Sequence, residues 1–352
     1  EFVPAEPAEW SVDPFSGVIK DGYVWGRGAV DMKDMDAMML AVVRRWAREG
    51  VVPPRDMVFA WVADEEHGGL HGAHWLVDHH PELFEGCTEA VGEVGGFSFS
   101  IDEDNRVYPI MTGEKGIRWM KLTATGQPGH GSMIHHDNAV TKLAAAVARI
   151  GAHEFPIVWT DTMREFVGGL GELMGTDLTA VDPQVMIEKL GPLGRIVGAT
   201  LRNTANPTQL QAGYKANVIP SSATAIIDCR IIPGQELEFE KQVDELLGAD
   251  VTREWVISDI AIESSFDTPL VEAMTAALKV EDDGSHTLPY LMSGGTDAKS
   301  FTQLGMKCYG FSPLRLPADL DFASLFHGID ERVPVDALTF GARVLNRFLM
   351  SS

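Results

Sequence analysis

Cysteine, basic residues and long apolar runs are all scarce in this 352-residue sequence. The three cysteines, Cys87, Cys229 and Cys308, lie far apart and form no Cys-x-x-Cys pair. A small, odd number of dispersed cysteines provides no framework of disulfide bonds and indicates a reducing compartment, so we expect a cytoplasmic protein. No apolar run approaches the roughly 18 residues that a membrane-spanning helix needs, so we expect no membrane association.

Positive charge is also in short supply. Lysine and arginine number 28 against 51 aspartates and glutamates, which gives a formal net charge of −23 at pH 7. Nucleic acid and anionic membrane surfaces repel such a chain, so neither is an expected partner. The length and the hydrophobic content of 45% instead predict a globular protein of two domains with sizeable cores.

Among the features that are present, the stretch 25–33, Trp-Gly-Arg-Gly-Ala-Val-Asp-Met-Lys, is the most informative. Its glycines suit a tight loop that another group can approach closely. The loop ends on Asp31, and an apolar run with helical spacing then predicts a helix to Glu49, capped by Gly50. Asp31 could cap that helix or could point a carboxylate into a cleft as a metal ligand. The loop does not fit the dinucleotide-binding pattern, because Asp31 stands at the third glycine position.

A second group of acids follows an apolar run. Residues 57–63, Met-Val-Phe-Ala-Trp-Val-Ala, are typical of a strand that is covered on both faces in a parallel sheet. Glu65 and Glu66 follow this run, and neighbouring residues at a strand end point to opposite sides. One carboxylate can therefore bind a metal ion while the other acts as general base towards a bound water. For an isolated Glu-Glu pair, a solvated acidic loop is the alternative.

Further candidate ligands occur in similar settings. Glu93 follows another short apolar stretch, and acids at the carboxyl ends of strands suit the cleft of an open α/β sheet. His327 stands beside a glycine and close to Asp330 and Glu331. It can complete a carboxylate-rich zinc site, although a single histidine is more often structural or solvated.

Two glycine-containing loops are candidates for contact with a substrate. The loop 293–297, Ser-Gly-Gly-Thr-Asp, offers unobstructed backbone N–H groups for an anion, or else it forms an ordinary turn. His130 lies between two glycines, either as a turn residue or held out towards a substrate.

The order of elements predicts an insertion. An alternating strand at 117–125 begins a series of strand, helix, two strands, helix and strand that ends near residue 262. This series is a small α+β sandwich, and α/β patterning returns from Thr268 onward. We therefore expect a catalytic domain made of residues 1–115 and 266–352, with residues 116–265 inserted into it.

Taken together, these segments resemble the M20 family of metallopeptidases and amidohydrolases, and the resemblance covers essentially the whole chain. The motifs that carry it are Trp-Ser-Val-Asp-Pro-Phe-Ser-Gly at 10–17, Gly-Arg-Gly-Ala-Val-Asp-Met-Lys at 26–33, Asp-Glu-Glu at 64–66, Gly-His-Gly-Ser at 129–132, Gly-Gly-Thr-Asp at 294–297 and His-Gly-Ile-Asp-Glu at 327–331. The resemblance implies a zinc-peptidase-like, three-layer α/β catalytic domain. It also implies an inserted ferredoxin-like α+β domain that serves as a lid and as the contact of a homodimer. Within the family, the aminoacylase and carboxypeptidase S branch is the most similar.

The resemblance further implies a centre of two zinc ions per subunit, for which Co²⁺ or Mn²⁺ can substitute. The side chains at the family's ligand positions are Asp31, Glu66, Glu93 and His327. Asp31 would bridge the ions, and Glu65 would be the general base. The implied activity is hydrolysis of an amide bond next to a free carboxylate, in an N-acyl amino acid or a short peptide. The alternative is a catalytically inactive, metal-binding or interaction protein of the same fold.

Substrate contacts are implied in and beside the inserted domain. His130 would reach the active site of the partner subunit and stabilise an oxyanion. Asn217 and Arg230, with the backbone of Gly295 and Thr296, would hold the carboxylate of the substrate. A guanidinium group suits that task because its fork matches two oxygens.

One departure from the family pattern concerns the first residues. The family carries a His-x-Asp motif directly before the Val-Pro that is here Val3-Pro4, but Glu1 stands in the place of the Asp. The histidine ligand and the elements before it are not in this sequence. We therefore expect one zinc ion to bind poorly, part of the sheet to lie uncovered, and the sequence as given to be inactive because this ligand is missing. We interpret the sequence as part of a longer, active enzyme, and it does not reveal whether an export signal precedes it.

Overall fold

The computed structural model describes residues 3–190 and 192–351, without the side chains of residues 192, 193, 195 and 196. The α-helices are α1 (Lys33–Glu49), α2 (Ala73–His79), α3 (Ala139–Ala152), α4 (Asp161–Leu173), α5 (Pro183–Lys189), α6 (Pro192–Thr200), α7 (Glu236–Leu247), α8 (Pro269–Glu281), α9 (Ala298–Thr302) and α10 (Val335–Ser351). In the described part of the chain, none of these helices is both long and apolar enough to cross a lipid bilayer.

The strands are short at both ends of the chain and longer in its middle. They are β1 (Ile19–Lys20), β2 (Tyr23–Trp25), β3 (Glu89–Gly92), β4 (Phe99–Ser100), β5 (Arg106–Glu114), β6 (Gly116–Thr125), β7 (Gly129–His130), β8 (Thr204–Ala212), β9 (Val218–Ile219), β10 (Ser222–Ile231), β11 (Val251–Ser258), β12 (Ile262–Glu263), β13 (Ser285–Met292), β14 (Lys307–Gly310) and β15 (Arg332–Pro334).

One mixed sheet, here called the large sheet, organises most of the chain. Its strands lie in the order β12-β5-β14-β3, and β13 and β4 also pair with β5. β13 runs parallel to β5, and β14 runs parallel to β3. β14 meets β5 in the antiparallel sense through Gly310 and Met111. The expected parallel sheet is therefore a mixed one.

Helices cover both faces of the large sheet because successive strand residues point to opposite sides. On one face, Tyr108 and Ile110 of β5 pack with α1, α8 and α10. On the other face, Val107 packs with α4, α5 and α6, and Cys308 of β14 packs near α9. The three layers of helix, sheet and helix confirm the predicted α/β class.

Helix α1 follows its sequence prediction closely. It ends at Glu49, and Gly50 closes it in the left-handed conformation (φ 64°). The buried side chains at helical spacing include Met35, Met38 and Val42, so one face of α1 enters the core against α10. The loop directly before α1 is thereby anchored to the core.

The apolar run 57–63 is not a strand. Its residues, all of which are described, form no ladder pairs with any described strand, and Val58 and Trp61 are 53% and 46% exposed. Arg55 contacts Glu89 at the start of β3 (3.4 Å), so the run lies beside the sheet edge without ladder hydrogen bonds. The predicted buried strand is therefore wrong, since an apolar run forms a strand only where a neighbouring strand pairs with it.

The elements β6, α3, β8, β10, α7 and β11 form a second body, here called the α+β unit. Its sheet has the strand order β11-β6-β10-β8, and every neighbouring pair is antiparallel. Helices α3 and α7 pack on one face of this sheet, where Leu143 and Phe239 are buried. This is the β-α-β-β-α-β order of a ferredoxin-like arrangement.

Helices α4, α5 and α6 occupy the stretch between the first helix and the second strand of the α+β unit. Their buried side chains include Met163, Phe166 and Met186, which cluster with Val107 and Leu291 of the large sheet. This part of the predicted insertion therefore packs on the large sheet. The domain boundaries at residues 115 and 265 stay a prediction.

A buried ion pair supports the start of β5. The carboxylate of Asp282, which is 4% exposed, accepts hydrogen bonds from Nε and Nη2 of Arg106 (2.6 and 2.5 Å) and from the hydroxyl of Tyr108 (2.7 Å). Burial alone would raise the pKa of Asp282. The hydrogen bonds from Arg106 and Tyr108, and the positive charge, outweigh burial and lower that pKa to about 2.

Replacement of this carboxylate should destabilise the protein. We expect Asp282→Asn to lower the free energy of unfolding by about 2 to 4 kcal/mol at pH 7, because Arg106 loses its counter-charge in a buried site. Thermal unfolding measures the effect, and Asp283→Asn on the exposed neighbouring residue is the control.

The same variant should show a pH signature. The folded-state pKa of Asp282 lies below its ordinary value of 3.8, so its contribution is complete above about pH 4 and is lost as the pH falls towards 2. The difference in melting temperature between wild type and Asp282→Asn should therefore shrink over that range. A difference that stays constant would contradict this assignment.

Candidate active site

Asp31 is presented by the short loop between β2 and α1. Gly28 in this loop has a left-handed backbone (φ 79°), which glycine adopts without strain. The backbone N–H groups of Val30 (2.7 Å) and Asp31 (3.1 Å) donate to the fully buried carboxylate of Glu331. Since α1 enters the core directly after the loop, the position of Asp31 is held from both sides.

Asp31 meets two other predicted ligands. Nε2 of His327 lies 3.1 Å from Oδ2 of Asp31 and 3.2 Å from Oε1 of Glu66. One ligand atom from each residue lies within 4.8 Å of the others, a spacing that one metal ion can bridge. The two carboxylate side chains are 19% and 13% exposed, whereas the imidazole is 52% exposed. The cluster therefore opens to solvent on its histidine side.

Glu93 and Glu65 lie beside these three residues. The carboxyl group of Glu93 is buried and hydrogen-bonded to that of Asp31. Burial, and then the negative charges of Glu65 and Asp31, raise the pKa of Glu93 well above its ordinary value. Burial also raises the pKa of Glu65 to about 8, and the charges of Asp297 and Glu66 add to this. Asp31, Glu65, Glu66 and Glu93 are called the acidic cluster below.

The donor set of the acidic cluster and His327 fits a divalent metal ion. Burial and then the charges of neighbouring acids raise the pKa values of Glu65 and Glu93, and a bound cation would favour the ionised form of both groups. Carboxylate oxygens and an imidazole nitrogen are donors that Zn²⁺ accepts. Asp31, Glu66 and His327 would hold one ion, and the hydrogen bond of Glu93 to Asp31 places a further carboxyl group next to it.

These residues come from four separate parts of the chain. Glu66 lies in a single 3₁₀ turn (Glu65–His67) before α2, and His327 lies in the loop before β15 with a positive φ of 57°. Glu93 directly follows β3 of the large sheet, whereas Asp31 lies six residues after β2. The expectation that the acids all terminate strands of one sheet is therefore met at Glu93 alone.

The loop 294–297 is held by a second buried carboxylate, that of Glu114 at the end of β5. Thr296 donates to Glu114 through its backbone N–H (3.0 Å) and through its hydroxyl group. Burial raises the pKa of Glu114 to about 7, although the charge of Lys299 and these hydrogen bonds favour the ionised form. The charge of Glu114 also raises the pKa of Glu65, so the loop lies next to the acidic cluster.

Three basic side chains, those of Lys115, Lys299 and Arg230, lie close to this loop. Nζ of Lys299, a residue that is 3% exposed, donates to the backbone oxygen of Lys115 (3.0 Å). Burial lowers the pKa of both lysines, that of Lys115 to about 7, and the charge of Arg230 adds to the effect. A Cβ atom at Gly295 would lie 2.6 Å from Nζ of Lys299, so glycine leaves this ammonium group directly against the loop.

Lys115 also joins the two bodies of the chain. It is the single residue between β5 and β6, and its Nζ donates to the carbonyl oxygens of Ala199 (3.0 Å) and Arg202 (2.6 Å). The α+β unit is therefore tied at this point to the end of α6 and to the approach to β8. The loop 294–297 lies at this junction.

Arg230 reaches the same junction from the α+β unit. It lies opposite Ile117 in the ladder between β10 and β6, and Ile117 packs against Gly295. Its guanidinium group forms a bidentate ion pair with Asp228 (2.6 and 3.0 Å). The predicted substrate residues Arg230, Gly295 and Thr296 thus lie in one region.

His130 and Asn217 lie elsewhere on the α+β unit. His130 pairs with Val218 in the two-stranded β7–β9 ladder, and the neighbouring Gly131 N–H donates to the carbonyl oxygen of Asn217 (3.0 Å). Both residues are exposed. Among the described residues, neither forms a hydrogen bond or an ion pair with the acidic cluster. His130 and Asn217 therefore lie close to each other, and neither contacts the candidate metal ligands of the same chain.

Sequence reasoning assigned no role to several residues that support the site. They are Arg27, Glu114, Lys115, Lys299 and Glu331. A signal exists for two of them, because Glu114-Lys115 is a charged pair that follows the apolar stretch 107–111 after two further residues, where a buried strand would be expected to end. For Glu331, its nearness to His327 was visible, but its hydrogen-bond partners about 300 residues away were not.

Comparison with known proteins identifies the family. The model of peptidase family M20/M25/M40 matches residues 2–351. The chain belongs to this family. The M20 chain is 29% identical over 365 residues to N-fatty-acyl-amino acid synthase/hydrolase PM20D1 of Xenopus tropicalis, covering 96% of this chain and 68% of that protein. It is 28% identical to human aminoacylase-1, covering 99% and 77% of the two chains.

Other relatives support the same assignment. Probable carboxypeptidase S-like 2 of Dictyostelium discoideum is 29% identical, and the M20 chain spans 65% of its length. The crystal structure of the M20 family metallo-carboxypeptidase Sso-CP2 from Sulfolobus solfataricus matches with a TM-score of 0.68 at 16% identity, over 100% of this chain and 83% of that one. The dipeptidase Dug1p of Saccharomyces cerevisiae matches with a TM-score of 0.70 at 15% identity, over 100% and 78%. These structures share the fold.

The three-residue cluster makes a specific prediction about metal binding. His327→Ala should weaken the affinity for Zn²⁺ at least about 100-fold, because it removes one of three donors. Competition with a chromophoric chelator measures the affinity. The control is His286→Ala, whose imidazole contacts Asn105 near the start of β13. An unchanged zinc affinity in His327→Ala would show that the ion binds elsewhere.

Proposed function

We propose that the M20 chain is a zinc-dependent hydrolase of amide bonds that lie next to a free carboxylate. The convergence of Asp31, Glu66 and His327 within 4.8 Å, with Glu65 beside them, is the observation that carries this proposal. The family assignment supports the hydrolase class, and the names of the relatives include an acyl-amino acid hydrolase, an aminoacylase and a dipeptidase.

Some residues of the acidic cluster would bind the metal ion, and Glu65 would transfer a proton. Asp31, Glu66 and His327 would hold the cation, with Glu93 as a further ligand next to Asp31. When bound, a divalent cation lowers the pKa of a bound water and polarises the carbonyl group of the scissile amide. Glu65 would take the proton of the attacking water and deliver it to the leaving amine.

The far side of the site would recognise the carboxylate of the substrate. Arg230 and Lys299, whose Nζ lies 4.0 Å from the carboxylate of Glu114, place positive charge beside the loop 294–297 in a chain whose net charge is −23. The N–H of Thr296 already donates to Glu114, so in this arrangement Gly295 and Arg230 are the groups that would face a substrate carboxylate. Arg230 would exchange part of its pairing with Asp228 for that contact.

A metal-binding protein of the same fold without catalysis is the second candidate, and the structure does not favour it. Glu65, which such a protein would not need, lies beside the candidate ligands, where the charges of Glu66 and Asp31 act on it. A carboxylate beside a metal ion but not required to hold it suits a proton-transfer role.

The function is tested with matched substrates. The full-length protein loaded with Zn²⁺ should hydrolyse N-acyl amino acids or dipeptides, and it should be much slower on the same compounds with the terminal carboxylate converted to a carboxamide. Equal rates on both would refute carboxylate recognition. Binding of two zinc equivalents by the full-length protein without hydrolysis in a broad panel would favour the non-catalytic alternative.

Glu65→Gln should lower kcat by about 10² to 10⁴-fold while the zinc content stays near that of the wild type, because the amide cannot accept the proton. Amino-acid release and bound metal are measured on the same samples. The exposed Glu82→Gln is the matched control. Near-normal turnover by Glu65→Gln would show that another group is the base.

We also propose a homodimer that forms through the α+β unit, in a cytoplasmic protein whose three cysteines are free thiols. Strand β8 ends the order of its sheet, and within the described residues no strand pairs with its outer edge. Leu210 and Tyr214, on and after this strand, are 61% and 85% exposed. An unpaired edge with exposed apolar side chains favours association with a second chain. His130, which has no link to the acidic cluster of its own chain, would then serve the partner's site.

Leu210→Asp should convert the dimer to a monomer in sedimentation analysis, because the charge would be buried in the interface. Leu237→Asp, at an 87% exposed position on α7, should leave the assembly unchanged. A wild-type monomer would refute the proposal. Mixing the inactive variants Glu65→Gln and His130→Ala should restore up to about a quarter of the wild-type rate if His130 acts across the dimer.

A further inference from the structure

We propose that Glu331 and Arg27 are a positioning pair. Together they fix the position of the proposed metal ligand Asp31 relative to the proposed metal ligand His327. This inference rests on the proposed metal centre and assigns a task to two residues that do not themselves contact the ion. The pair joins two segments of chain, 26–31 and 327–331, which are called the two ligand loops below.

Both oxygens of the Glu331 carboxylate accept hydrogen bonds from the first ligand loop. Its Oε2 accepts from the N–H of Gly28 (2.9 Å) and from Nη1 of Arg27 (2.9 Å). Its Oε1 accepts from the N–H of Val30 (2.7 Å) and of Asp31 (3.1 Å). Glu331 is 0% exposed, so water does not replace these donors. Because four donors bind the two oxygens, the first ligand loop is held in one position relative to the side chain of Glu331.

Arg27 connects the same carboxylate to the second ligand loop. While Nη1 donates to Glu331, Nη2 donates to the carbonyl oxygen of His327 (3.3 Å). The guanidinium group is buried and lies 5.1 Å from the ring of Trp10. One planar cation therefore touches both the backbone of one metal ligand and the carboxylate that holds the other.

The two ligand loops are about 300 residues apart along the chain, and they meet where β2 and β15 pair antiparallel, with Trp25 opposite Arg332. This ladder joins the loops at one end, and the contacts of Glu331 and Arg27 fix the residues beyond it. The backbone adds one further bond, from the N–H of Gly26 to the carbonyl oxygen of Glu331 (3.0 Å). His327 and Asp330 both have positive φ values (57° and 60°), which non-glycine residues adopt only where their surroundings enforce it. Residues that orient metal ligands usually change metal affinity when they are replaced.

A purely stabilising role is the competing explanation, and the chain contains its own control. Asp282 is also a buried carboxylate, and it also pairs with an arginine and a further donor. It lies at the start of β5, about 26 Å of extended strand away from Glu114 at the end of β5. Asp282→Asn should therefore cost stability without changing the metal site.

The experiment compares zinc affinity, by chelator competition, with melting temperature in both variants. Glu331→Gln keeps the size of the side chain, but its NH₂ group would face backbone N–H donors. We expect Glu331→Gln to weaken zinc affinity about 10- to 100-fold. Asp282→Asn should stay within about 3-fold of the wild type in zinc affinity at a comparable loss of melting temperature. In the Co²⁺-substituted proteins, the visible absorption of the metal should change in Glu331→Gln alone.

Arg27→Lys is the second variant for this test and replaces Glu331→Gln if that variant does not fold. Lysine keeps the charge next to Glu331, but it cannot also reach the carbonyl oxygen of His327, so zinc affinity should fall while folding is retained. Unchanged zinc affinity in the folded variants, or an equal loss in Asp282→Asn, would overturn the inference. The proposed function fails separately, if the full-length wild-type protein binds zinc but hydrolyses no amide.

Discussion

Electrostatic repulsion among the carboxyl groups of Asp31, Glu65, Glu66 and Glu93 is the constraint on which the site depends. Bringing four acids together costs free energy that a folded chain must offset. Burial is the largest cause of the raised pKa values of Glu65 and Glu93, and the negative charges of the neighbouring acids raise both values further. The supporting residues hold the acids in place from behind, through backbone hydrogen bonds and buried ion pairs. The cluster is therefore arranged for a cation.

Negative and positive charges occupy different parts of the site. The acidic cluster gathers negative charge, and Lys299 and Arg230 bring positive charge to the loop 294–297 beside it. Glu114 belongs to both parts, since it holds Thr296 and its charge reaches Glu65. A substrate with a polarisable carbonyl group near one end and a carboxylate at the other matches this arrangement.

The fold places these charges at the junction of its two bodies. β5 ends at Glu114, Lys115 spans the gap, and β6 begins the α+β unit at Gly116. Since Lys115 donates to two carbonyl groups outside β5 and β6, the junction is more than a flexible linker. Arg230 can therefore contribute to a candidate site whose proposed metal ligands all belong to the other body.

The sequence by itself determined the fold class, the helix α1 with its glycine cap and the candidate ligands, because short-range spacing and motif order carry that information. It failed at residues 57–63, since an apolar run does not reveal whether a neighbouring strand will pair with it. It could not assign Glu331, Arg27 or Glu114, whose partners are distant along the chain and whose burial arises only on folding. Which candidate ligands lie close enough to hold one metal ion, and that His130 lies apart from them, were likewise decided by tertiary structure. Distances between segments separated by up to 300 residues depend on packing, which no local pattern encodes.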